Sequence, residues 1–76
     1  MDIIATDGEL LVFEVKSAPK VGEVEYFADK VELVRLQNPD KQVRGVLVAL
    51  GVGEEIRRAC RAHGLMLLPD RRNEQS

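Results

Sequence analysis

Glu14 and Lys16 stand one residue apart at the polar end of an otherwise apolar run, Leu-Leu-Val-Phe-Glu-Val-Lys over residues 10–16. On a β-strand alternate side chains share a face, so the carboxylate and the ammonium point one way while Phe13 and Val15 point the other. A carboxylate beside an ammonium, with another acid and a backbone carbonyl in reach, can bind a divalent ion and hold a water next to it. Hard oxygen ligands of this kind suit Mg²⁺ or Mn²⁺. Such an ion polarises a phosphoryl oxygen, and the lysine orients or deprotonates the water. The second acid this chemistry requires would be Asp2.

Whether Asp2 reaches Glu14 depends on a turn. Residues 2–5 and 10–16 are β-rich and are separated by Thr6-Asp7-Gly8-Glu9, which predicts a hairpin. If Asp7-Gly8 forms a two-residue loop, Thr6 faces Glu9 and Asp2 lies opposite Phe13, on the wrong face. If Thr6-Asp7-Gly8 forms a three-residue loop with Gly8 in the left-handed bulge position, Asp2 faces Val12 and shares a face with Glu14 and Lys16. Asp-Gly suits the first loop, and glycine at the third position suits the second.

The elements beyond the hairpin follow from periodicity. From Val21 to Gln37 the apolar positions Val24, Phe27, Ala28, Val31 and Val34 recur at helical spacing, with Glu25, Asp29 and Glu32 largely opposite. Asn38-Pro39 stops that helix, because the residue before proline disfavours the α region. Residues 43–50 are nearly continuously apolar, the pattern of a parallel strand covered on both faces. Glu54 to His63 reads as a short helix with acids first, arginines later and Gly64 as its C′ cap. Leu65–Leu68 is a last strand. The order is β-β-α-β-α-β, an α/β domain over residues 1–68 with a mixed sheet and helices packed on it. Residues 69–76 read as a polar, frayed tail.

Asp2 followed by Glu14-Val15-Lys16 across a hairpin resembles the Asp…(Glu/Asp)-x-Lys signature of the PD-(D/E)XK nuclease superfamily. The resemblance continues through the long helix, the buried strand, the short helix and the last strand. It is closest to small members and more distant to archaeal Holliday-junction resolvases. It implies a restriction-endonuclease-like core that lacks the family's first helix and strand, so the chain is expected to be a shortened relative, a fragment or a subunit completed by a neighbour. It implies Asp2, Glu14 and the Val15 carbonyl as metal ligands and Lys16 as the catalytic lysine. The reaction it implies is Mg²⁺- or Mn²⁺-dependent hydrolysis of a DNA phosphodiester.

Composition bounds these readings. The chain has 76 residues, of which 24 are Leu, Ile, Val or Phe, enough for one folded domain with a thin core. Association with a second copy, a homodimer, is the natural remedy. A single cysteine excludes an internal disulfide framework and a closed thiolate zinc site. No apolar run approaches the roughly 20 residues of a membrane helix, and the start has no basic segment followed by an apolar one. A soluble, cytoplasmic protein without a membrane role is expected. The net charge of −2 divides into −5 over residues 1–34 and +3 over residues 35–76, so binding to DNA would be local rather than a general coating.

Other chemistry-bearing residues read more simply. Arg57, Arg58 and Arg61, with Arg44, could contact phosphates, but a solvated face with a Glu54–Arg58 pair explains them better. His63 fits helix capping, and Cys60, four residues after Ile56, fits a small apolar core position. Tyr26 and Lys30, one turn apart on the long helix, could border a substrate groove, and a surface contact explains them equally well. The alternative to a nuclease is a non-catalytic module on the same fold that dimerises or docks through the first strand or the long helix.

Overall fold

The computed structural model describes residues 1–69. The tail expected from residue 69 therefore lies, from residue 70 onward, outside the described residues. The elements are β1 (Asp2–Thr6), β2 (Glu9–Ser17), α1 (Val21–Gln37), β3 (Gln42–Leu50), α2 (Glu54–Ala62) and β4 (Met66–Leu68). The strands form one four-stranded sheet in the order β1-β2-β3-β4. β1 is antiparallel to β2, while β2, β3 and β4 run parallel. The α/β class, the mixed sheet and the β-β-α-β-α-β order are as the periodicity predicts.

The hairpin closes with Thr6 opposite Glu9 and Asp2 opposite Phe13. Only Gly8 in the turn takes a positive φ, +77°, while Asp7 does not, which is the sign pattern of a type II turn rather than type I′. The pair that closes a two-residue loop is hydrogen-bonded, and alternation then makes Ile4–Leu11 and Asp2–Phe13 the other bonded pairs. Ile3 and Ala5 accordingly turn their backbone N–H and C=O away from the sheet, along its free edge.

The core lies between one sheet face and both helices. Leu10 and Val12 of β2 and Val43, Leu47 and Ala49 of β3 point into it, as strand alternation requires. Val24, Phe27, Val31 and Val34 fill it from α1, and Ile56 and Cys60 from α2. Gly45 lets α1 come close: a Cβ there would stand 2.6 Å from Leu65 Cδ2 and 2.8 Å from Val31 Cγ2. α1 is tied down at its end by Arg35 Nη2, which donates to the Val43 carbonyl at 3.1 Å. α2 ends in a Schellman turn, with the Leu65 N–H donating to the Cys60 carbonyl at 2.8 Å and Gly64 at φ +69°.

The opposite sheet face differs from expectation. The apolar run of β3 predicts cover on both sides, yet both helices share the one core, and no described element covers the other face. Its residues include Ile4, Leu11, Phe13, Val15, Val48, Leu50 and Met66, none of them in the helix-side core. Val15 is 74% exposed and Leu50 69%. Val46 is buried on this face by its neighbours in the sheet, Phe13 and Met66 beside it. Apolarity of a central strand reports that both faces are lined by apolar side chains, and it does not report that a helix sits on each.

Candidate active-site cleft

β1 reaches only as far as Phe13, so from Glu14 onward β2 pairs with β3 alone, Glu14 beside Leu47 and Lys16 beside Ala49. Both side chains therefore emerge on the helix-covered face, beyond Leu10 and Val12. A turn with Ala18 at φ +51° leads into α1, whose first two turns overhang the strand end. Between them lies a cleft of about 290 Å³ lined by Glu14, Lys16, Glu23, Tyr26, Phe27 and Lys30. Phe27 forms its dry floor, and the charged groups form its walls.

Glu14 is the electrostatic centre. Its side chain is 13% exposed, and its Oε1 is enclosed with no hydrogen-bond partner among the described residues. Three ammonium groups surround it: Lys16 Nζ at 3.8 Å from Oε2, and Lys30 Nζ at 3.9 Å and the Met1 amine at 3.8 Å from Oε1. These are ion-pair distances, too long for hydrogen bonds. The charge is thus compensated, but the enclosed oxygen still lacks the donor or cation that would repay its desolvation.

The walls are themselves coupled. Lys16 Nζ also lies 3.6 Å from Glu23 Oε2. Glu23 accepts a hydrogen bond from the Lys20 N–H at 2.8 Å, closing the N-terminus of α1. That bond, with Lys16 alongside, holds the Glu23 carboxyl below its ordinary value. Lys30 Nζ sits 4.7 Å from the centre of the Tyr26 ring, a cation–π contact.

The predicted site residues separate into two groups. Glu14 and Lys16 come together as strand alternation requires. Asp2 does not join them: the two-residue loop sets it opposite Phe13, on the uncovered face, and its approach to Glu14 needed the three-residue loop. Val15 lies between Glu14 and Lys16 with its side chain on the uncovered face. Its backbone groups alternate in step with those of Phe13, so its carbonyl turns toward the β1 side, past the end of that strand.

Other residues fall where the simpler readings put them. Arg58 and Arg61 both pair with Glu54, at 3.6 Å and 3.4 Å. Arg44 pairs with Glu9. Cys60 is buried, and burial pushes its thiol up from the usual value. His63 is the C-cap of α2. Tyr26 and Lys30 line the cleft, and the residue that sequence reasoning missed is Glu23, which lies on the same helix as Lys30. Glu23 and Lys30 stand seven apart on α1, two turns, with Phe27 between them on the same face. That spacing, set against the apolar stripe, was the available signal.

Among the described residues no group of three or more His, Cys, Asp or Glu side chains is arranged to hold a metal ion. No described helix is long and apolar enough to cross a membrane. Compared with protein-family models, with curated proteins and with solved structures, the chain matches none.

Proposed function

We propose that this chain is a PD-(D/E)XK-like domain that hydrolyses DNA phosphodiesters with a divalent ion bound at the strand end of the cleft. The observation that carries the proposal is Glu14, a largely buried carboxylate with one enclosed, unbonded oxygen, set beside Lys16 at the mouth of a polar cleft. Mg²⁺ keeps several waters and takes one or two protein carboxylates plus substrate phosphates. Glu14 and the Val15 carbonyl meet that modest demand without Asp2. The ion, when bound, supplies positive charge to a phosphoryl oxygen and acidifies a water.

The chain's own residues do the rest. Lys16 places its ammonium beside the reacting phosphate, where it donates to a non-bridging oxygen and holds the attacking water. Glu23 steadies Lys16 from α1. Lys30 gives the phosphate backbone a second cation at the rim, and the Tyr26 ring, 65% exposed, gives a base a surface for stacking.

Two measurements test this. Calorimetric titration with Mn²⁺ should show saturable binding that Glu14→Ala abolishes and Asp2→Ala retains. Plasmid and branched DNA should be cut in Mg²⁺ or Mn²⁺, with Lys16→Ala slower by roughly 100-fold or more. Equal cleavage by wild type and Lys16→Ala would remove the proposal. A non-catalytic module on the same fold is the second reading, favoured by the position of Asp2 on the far face. It requires that the protein neither binds Mn²⁺ nor cuts DNA.

A further inference from the structure

We propose that two copies of this chain join edge to edge through β1, antiparallel and centred on Ile4, to make one eight-stranded sheet from two four-stranded ones. The proposal holds for either reading of the cleft, because it uses the opposite edge of the hairpin.

β1 is the sheet edge, and all five of its residues are exposed. Edge strands in soluble proteins are normally guarded by lysine, proline, a bulge or a covering loop. Among the described residues β1, Asp-Ile-Ile-Ala-Thr, has none of these, and its single charge, Asp2, stands at its first position. Its outward-facing N–H and C=O groups belong to Ile3 and Ala5, because Asp2, Ile4 and Thr6 spend theirs on β2.

That parity selects the register. An antiparallel partner must set outward groups opposite outward groups, which excludes every pairing shifted by an odd number of residues. Of the remaining pairings, only the one centred on Ile4 lays all five residues of β1 against all five of a second copy. Ile3 then exchanges both bonds with Ala5 of the second copy, and Ala5 with its Ile3. Ile4 meets Ile4 at the twofold axis as a close, non-bonded pair.

Charge agrees with this register. The one charged residue of β1, Asp2, falls opposite the neutral Thr6 of the second copy. The two Asp2 carboxylates lie at opposite ends of the ribbon, about 13 Å apart at about 3.4 Å per residue, and thus beyond the roughly 10 Å screening length at moderate salt. Sliding the register two residues toward Ile3 would halve that separation and leave two residues of each strand unpaired. The symmetric pairing also keeps like faces together. Ile4 joins the two uncovered apolar faces into one, and Ile3 and Ala5 of both copies meet on the helix side, where no described helix lies above β1.

Sedimentation equilibrium of the full chain over a concentration series tests this. Wild type should be a dimer. Ala5→Pro removes an outward N–H that no strand of its own chain uses, so the circular dichroism should hold while association weakens roughly 10- to 100-fold, two symmetry-related bonds being lost. Ile4→Lys and Ile4→Glu set like charges face to face and should each be monomeric, whereas an equimolar mixture of the two should dimerise again. Should Ala5→Pro lose its fold, the charge-swapped pair decides alone. A wild type that stays monomeric to about 1 mM, or a dimer that the charge variants do not weaken, overturns the proposal. Lys16→Ala should remain a dimer whatever it does to DNA, which separates this inference from the reading of the cleft.

Discussion

The two phenylalanines of this protein stand on opposite sides of one sheet and live in different surroundings. Phe27 descends from α1 onto the covered face and is 1% exposed, held among Val12, Val24 and Leu47. Phe13 projects from β2 onto the uncovered face, half-buried between strand neighbours with nothing described above it. Both sit in strongly apolar surroundings, so apolar content alone does not distinguish a core from a surface. What distinguishes them is cover, because dispersion contacts and water exclusion need atoms on every side. The covered face carries the stability and, at its rim, the cleft. The uncovered face carries apolar area that the isolated fold does not use.

The largest expected effect tests that contrast directly. Phe27→Ala should cost about 3–5 kcal/mol, the usual loss for a fully buried aromatic, and much of the stability of so small a domain. Phe13→Ala should cost less, about 1–2 kcal/mol, since its side chain is only partly buried and no described element packs on it. Urea unfolding of both variants at micromolar concentration measures the difference. Comparable losses would break the comparison and mean that the second face is covered in solution.

Gly45 sharpens the contrast within one strand. Its Cβ would collide with the ends of the Val31 and Leu65 side chains. Leu65 Cδ2 can turn aside, whereas Val31 is β-branched and stiff in its helix, so Gly45→Ala should push α1 back slightly at a cost of about 1–3 kcal/mol rather than abolish folding. The thermal midpoint should fall accordingly, with the secondary structure retained. A neutral or stabilising alanine would mean that α1 does not approach β3 as closely as the core requires.

Much of this arrangement is legible in the chain itself, and the limits have physical reasons. Val24, Phe27, Val31 and Val34 announce α1 because an apolar stripe at helical spacing has few other uses. Gly64 announces the end of α2 because few other residues accept its positive φ. Strand alternation also puts Glu14 and Lys16 on one face without further help. The hairpin register is different. Asp7-Gly8 is compatible with two loops that differ by one residue, and one residue turns Asp2 from one sheet face to the other. Nor does the apolar run of β3 say which face the helices take, since that is decided by the crossovers and not by the strand. Lys30 joined Glu14 through a contact between elements, which its place one turn from Tyr26 hinted at without naming Glu14 as the partner.

The smallest expected effect lies at the rim of the covered face, where Glu23 closes the helix. Its carboxyl is held below its ordinary value of 4.5, first by the Lys20 N–H and then by Lys16. A carboxylate whose folded value is depressed stabilises the fold above its unfolded value, and that contribution is lost as the pH falls through the folded value. Glu23 is exposed, so water and salt weaken both interactions. Between pH 5 and about 3, near the ordinary carboxylate range, the thermal midpoint of wild type should therefore fall slightly more steeply than that of Glu23→Gln. Glutamine keeps a hydrogen-bond acceptor for the Lys20 N–H but carries no charge to titrate, so the cap survives while the pH dependence goes. Identical slopes would mean that the Glu23 charge contributes nothing to holding α1 over the cleft, and that the buried stripe beneath it positions the helix unaided.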